Sequence, residues 1–157
     1  MDRMLTAEQQ ALFEHELLAH IAGALRTTID WTLRTQDSSD RLPSLRFIAQ
    51  SFLRHLEHIL ELEERDGYMP AVDSRRHADL RQRILELRRE HDYFRAELAG
   101  SVARLQNTSP ADYLTIGEVC HAMLALLDGI NDHNQREMEI IELARERDQR
   151  DQLLGML

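Results

Sequence analysis

Three histidines and two glutamates stand where a helical protein ordinarily keeps apolar side chains. A helix packed in a bundle turns a seam inward at an average spacing of about 3.5 residues. One such seam reads Leu80, Ile84, Leu87, His91, Phe94, Leu98, Val102, Leu105, and another reads Ile116, Val119, Met123, Leu126, Ile130, His133, Glu137, Ile140, Ala144. A third runs Ala11, His15, Leu18, Ala22, Leu25, Ile29, and the fourth runs Ile48, Phe52, Leu53, Leu56, Ile59, Leu60 and ends on Glu63. A single seam histidine is ordinarily a hydrogen-bonded core residue. A buried ionised carboxylate, however, costs several kcal/mol unless it is paired or bound to a cation. His15 with Glu63 and His91 with Glu137 have nearly the same separation, so the chain reads as two helical hairpins carrying one kind of site. Nitrogen and oxygen donors without thiolate suit iron or manganese, and also zinc, and a carboxylate on each of two helices can bridge two ions.

The elements that must position these residues follow from the breakers. The first helix is predicted from about Thr6, which forms a capping box with Gln9, to Arg34, before the polar run Gln36-Asp37-Ser38-Ser39-Asp40. Pro43 opens the second helix and Gly67 closes it, followed by a connector through Tyr68 and Pro70. Asp73 or Ser74 caps the third, which continues to about Leu105. Asn107-Thr108-Ser109-Pro110 separates it from a fourth that reaches about Arg147, leaving a frayed tail. No segment alternates with a strand period. The expected fold is therefore all-α, a single antiparallel up-down-up-down four-helix bundle over residues 1–157, with its core at about 6–147. One register is uncomfortable. His91 lies roughly 15 residues before the last turn and His133 roughly 23 after it, a mismatch of roughly 12 Å at about 1.5 Å per residue. A fourth helix that starts several residues after Pro110 repairs it.

Composition narrows the partners. The net charge is −9 and all 19 basic residues are arginine, so the chain lacks the positive surplus that phosphate contact requires, and no nucleic-acid partner is expected. The one basic cluster, Arg75, Arg76, Arg81, Arg83, Arg88 and Arg89, is interleaved with Asp79, Glu86 and Glu90 and reads as a salt-bridged outer face. No apolar stretch approaching the roughly 18 residues of a membrane span is expected, nor a signal segment, because Glu14, His15 and Glu16 interrupt the first apolar run. The lone cysteine, Cys120, fits a reducing cytoplasm and a small core residue. His20, His77 and His121 fall off the seams and are expected at the surface. Glu118-Val119-Cys120-His121 has the Glu-x-x-His spacing of ferritins, but such a centre needs two of these motifs and the chain has one.

Together the residues resemble the hemerythrin-like (HHE cation-binding) family over about residues 8–145. The resemblance rests on Phe13-Glu14-His15-Glu16, on Leu56-Glu57-His58-Ile59-Leu60-Glu61-Leu62-Glu63-Glu64 running to Gly67-Tyr68, on Glu90-His91-Asp92-Tyr93-Phe94, and on His133-Asn134-Gln135-Arg136-Glu137. The Glu-Glu-x-x-Gly-Tyr ending of helix 2 is similar to that of many bacterial members. The family pattern is a His on helices 1 and 3 and His-x-x-x-Glu on helices 2 and 4. It implies iron, in a pair or singly, held here by His15, Glu63, His91, His133 and Glu137. It also implies oxygen, peroxide or nitric oxide chemistry, sensing, or iron handling, with a small diatomic ligand or peroxide as partner. The departure is Ile59, where the pattern has histidine. His58, rotated about 100° around the helix, and His55, one turn away, are the candidate substitutes. The alternative function is a metal-poor bundle of this kind serving as a structural or partner-binding module.

Overall fold

The computed structural model describes residues 7–35, 40–66, 69 and 75–156. Four long helices account for most of them: α1 (Ala7–Arg34), α2 (Leu42–Arg65), α3 (Arg81–Asn107) and α4 (Tyr113–Gly155). A short 3-10 segment, Arg75–Leu80, leads into α3. Among the described residues there is no strand. The expected caps at Thr6, Asp73 and Ser74, the helix stop at Gly67 and the connector residues Tyr68 and Pro70 lie outside the described residues.

α3 and α4 bury the whole seam their periodicity marks, and α1 and α2 bury part of theirs, with His15 half-buried. Every residue of the predicted α3 and α4 seams is buried, as are Leu18, Leu25 and Ile29 of α1 and Phe52, Leu56, Ile59, Leu60 and Glu63 of α2. Ala22, Ile48 and Leu53 pack half-buried against that core, and the Ala11 side chain lies outside the described residues.

Polar cross-links set the neighbours. Arg104 and Glu90 of α3 meet Glu118 and Arg136 of α4, and Asp79 of the 3-10 segment meets Arg147 of α4. Arg46, at the start of α2, donates to the carbonyls of Leu105 at 2.8 Å and Thr108 at 2.7 Å, satisfying orphan acceptors at the end of α3. Arg26 of α1 reaches Asp128 of α4 at 2.7 Å. The interleaved arginines of α3 find at least part of their partnership on α4, as Arg83 does with Glu139.

The last helix starts three residues after Pro110, in the direction its register called for, and its far end departs from expectation. It begins at Tyr113, where the Asp112 carboxylate accepts from the Thr115 amide at 3.1 Å, so the capping residue rather than Pro110 sets its start. Its first residues, Tyr113 and Leu114, are exposed, and further along His133 reaches His91. It also runs to Gly155, past the predicted end near Arg147, with Leu153 and Leu154 exposed. Within it lies an 18-residue window of mean hydropathy 1.3, long and apolar enough by composition to cross a membrane, which corrects the expectation that no stretch approaches that measure. In that window 39% is buried in the bundle, and Ile116, Val119, Met123, Leu126 and Leu127 are buried residues of the same helix.

The core falls into two clusters. The larger joins all four helices and ends at Phe94 on α3 and Ile130 on α4. The smaller holds Met69, Leu80, Ile84, Leu87, Ile140 and Ala144. His91, His133 and Glu137 occupy the layer between them.

Candidate metal centre

The five seam residues converge. His15 comes from α1, Glu63 from the last turn of α2, His91 from the middle of α3, and His133 with Glu137 from successive turns of α4. They form two triads of potential ligand atoms, His91–His133–Glu137 and His15–Glu63–Glu137, each with its atoms within 4.8 Å of one another. Glu137 belongs to both.

Glu137 Oε1 lies 2.8 Å from His133 Nε2 and 3.2 Å from His91 Nε2. The two Nε2 atoms are 3.0 Å apart, with ring centroids at 4.8 Å, and the edge of Phe94 walls off His133. Glu63 straddles the triads, with Oε1 2.8 Å from His15 Nε2 and Oε2 3.3 Å from His91 Nε2. Neither contact is aligned as a hydrogen bond, so both oxygens of this buried carboxylate lack a proper donor. Distance without alignment is the geometry of ligand atoms that face a common centre.

The outward nitrogens explain the inward ones. His91 Nδ1 is 3.1 Å from Glu64 Oε1, and Arg95 grips the same carboxylate with two donors at 2.9 and 2.8 Å. His133 Nδ1 is 3.3 Å from Glu90 Oε2, and Arg136 grips that carboxylate with two donors. Burial alone would push Glu64 and Glu90 up, but the arginines, with the imidazoles, hold both below the ordinary carboxylate range. An ionised carboxylate only accepts, so each Nδ1 carries the hydrogen and each Nε2 is left to face the interior. Two Nε2 atoms at 3.0 Å beside two carboxylates form a set of acceptors that needs a proton or a cation between them. Without a cation the proton answers: burial opposes charge on His91, but Glu137 and Glu63 outweigh it and raise the imidazole to about 9. Burial likewise opposes charge on Glu137, yet His133 and His91 hold it well below the usual carboxylate range. His15 is raised by its proximity to Glu63.

The remaining candidates separate cleanly. Ile59 is 3% exposed and belongs to the large apolar cluster. His58 does not substitute for it: its ring is half exposed, 3.7 Å from Glu14, over a surface hollow with Glu61, Leu62, Arg65 and Asp66. His55 points back along its own helix, with Nδ1 2.9 Å from the Ser51 carbonyl. His20, His121 and Glu118 are exposed. Cys120 is fully buried, which pushes its thiol up to about 11. His77 corrects the expectation of a surface residue. It is buried in the 3-10 segment at a non-helical backbone conformation, with Nε2 3.2 Å from Asp148, because the chain kinks there and helical periodicity no longer tells which way it faces.

Sequence reading missed Glu64, Glu90, Arg95 and Arg136. Their signal was available: a glutamate adjacent to a ligand on the chain (Glu63-Glu64, Glu90-His91) and an arginine three or four residues after each buried histidine. No family model matches the sequence, and neither a curated protein nor a solved structure is significantly similar to it.

Proposed function

We propose that this chain is a cytoplasmic, hemerythrin-like protein whose helices form an antiparallel up-down-up-down bundle around an iron site. His15, Glu63, His91, His133 and Glu137 are the ligands. Manganese or zinc would satisfy the same donor types. The observation that carries this reading is the orientation of His91 and His133. Their Nδ1 hydrogens are committed to Glu64 and Glu90, and their Nε2 atoms meet at 3.0 Å beside Glu137. Their inward faces bring two Nε2 atoms together with buried carboxylates, a cluster that needs a proton or a cation at its centre.

Bound iron supplies reversible redox and Lewis-acid chemistry toward a small diatomic molecule or peroxide. The protein's own part is to fix the ligand nitrogens, hold two carboxylates dry, and leave His15 as the entry edge, since its side chain is 36% exposed while those of His91 and His133 are buried. The test is elemental analysis and absorption of protein made in iron-replete cells. Iron at one or two atoms per chain with a near-ultraviolet charge-transfer band is expected. Protein that stays metal-free through anaerobic iron reconstitution refutes it.

Ile59 favours a second reading, a metal-poor bundle kept as a structural or partner-binding module. It places a fully apolar side chain one turn before Glu63, where a further imidazole would complete the set. Under that reading the full-length protein binds no metal and His133→Phe raises its melting temperature.

A further inference from the structure

We infer that the carboxy-terminal part of α4 is a self-association surface, on which two copies of this chain pair antiparallel through Leu143, Glu146, Arg150 and Leu153. The inference is independent of metal binding.

Its basis is the stretch of α4 that the rest of the chain does not cover. Ala144 is the last buried residue of the helix, and His77 and Asp79 of the 3-10 segment reach Asp148 and Arg147. Past them residues 149–156 are all exposed, Leu153 at 66% and Leu154 at 64%, yet the helix continues to Gly155. Helical stability in proteins comes mostly from packing one face, and a short projecting segment is marginal alone. Burying its leucines against another helix supplies the missing contact.

Spacing turns these residues into a stripe. Leu143, Glu146, Arg150 and Leu153 follow one another at intervals of three, four and three, the rhythm of a helix–helix seam. Leu143 is half-buried at the edge of the smaller core cluster, and Glu146 and Arg150 are exposed. Neither charge is committed to another ion pair among the described residues.

The order of the stripe, apolar, acidic, basic, apolar, selects its occupant. Turned about a two-fold axis beside residue 148, the stripe complements itself. Leu143 lies against Leu153 of the second copy and Glu146 against its Arg150, and symmetry repeats both contacts. A parallel, in-register pair would instead set glutamate against glutamate and arginine against arginine, so charge disfavours that orientation. The antiparallel overlap is sterically open as well. It covers residues 143–153, about 16 Å of helix, and leaves the two bundles at its opposite ends. Four stripe residues per copy, against the roughly 20–30 of a standard interface, make this a weak dimer that forms as concentration rises.

The test is sedimentation velocity of the full-length protein as purified, from micromolar to millimolar concentration. A reversible monomer–dimer equilibrium is expected. Glu146→Arg and Arg150→Glu should each weaken it by about tenfold or more at low salt, because each turns both attractive contacts repulsive. Mixing the two variants should restore association, since opposite charges then face each other at both contacts. Leu153→Asp should abolish it. All three positions are exposed, and circular dichroism verifies that each variant stays helical. A monomer at every concentration would overturn the inference. A dimer indifferent to Leu153→Asp or to either charge change would mean that another surface pairs, which overturns it too. So would charge variants that stay apart when mixed.

Discussion

Glu64→Ala isolates the clamp on one buried histidine from the ligands themselves. The side chain touches no inward-facing atom; it accepts from His91 Nδ1 and from both terminal nitrogens of Arg95. Glu64 and Arg95 are each about a quarter exposed, so solvent screens their ion pair and its share of stability is small, about 0–1 kcal/mol. The bond to the buried imidazole is charge-assisted and contributes about 1.5–3 kcal/mol. The metal-free variant should therefore lose about 2 kcal/mol, or about 4–8 °C in melting temperature for a chain of this size. The metal-bound protein should lose more. Freeing Nδ1 lets His91 turn or change tautomer, lowering affinity about 10–100-fold, and that factor adds about 1.4–2.7 kcal/mol through linkage at saturating metal. Thermal melts with and without metal, alongside a chelator competition, read both quantities. Glu64→Gln keeps an acceptor and should recover part of the affinity. Glu61→Ala, which removes an exposed pair with Arg65 on the same helix, should change neither. Equal losses in the two forms with unchanged chelator competition would reduce Glu64 to a surface ion pair and refute the clamp.

The other predictions are brief. Ile59→His should destabilise the metal-free protein by about 2–4 kcal/mol, from lost apolar burial and a ring needing a partner, and metal should recover much of it; equal melting losses with and without metal would count against the register of α2. In the metal-free protein the raised His91 contributes stability that is complete below about 6.5 and lost as pH rises through about 9. The depressed Glu137 contributes stability present above about 4.5 and lost as pH falls further. Denaturant melts should therefore show a plateau between those limits, and a flat profile from pH 7 to 9.5 would contradict the His91 assignment. Metal must displace the His91 proton, so binding near pH 7.5 should release protons, visible as a calorimetric heat that varies with buffer ionisation enthalpy. Cys120 should resist alkylation in the native protein and react at the rate of unfolding; fast labelling of folded protein would show that α4 opens locally.

How much of this was legible in sequence depended on periodicity. The seams of α3 and α4 could be read residue by residue because straight helices repeat without interruption, and the five polar intruders stood out against them. Short connections led to the expectation of antiparallel neighbours, but no connection length could give the register of α4. The Asp112 cap, two residues past the breaker Pro110, sets it, and a cap differing by one turn would move every side chain on the helix by about 5.4 Å. The clamps were missed for a different reason. Glu64, Glu90, Arg95 and Arg136 sit at the seam's flanks, where charged residues are ordinary, and only the three-dimensional meeting of α2 with α3 and of α3 with α4 gives them a role. His77 was missed because a 3-10 kink breaks the rule that located the rest.

The position of the polar layer carries a last consequence. α2 ends close to it, and the smaller apolar cluster beyond it is built from Met69, α3, α4 and the 3-10 segment. Apolar side chains at the five positions would join the two clusters into one continuous core, and replacing buried ion pairs with packed hydrophobics is often neutral or stabilising by about 1–4 kcal/mol. The layer thus separates two packed units that a bundle built for stability alone would fuse. A cation drawing on all four helices reconnects them, so metal loading should couple the smaller cluster to the larger. Hydrogen exchange at Leu80, Ile84 and Ile140 measures that coupling: their amides should slow on metal addition together with those of Leu98 and Leu126. Slowing confined to the residues around His91 and His133 would mean that the ion organises only its own ligands.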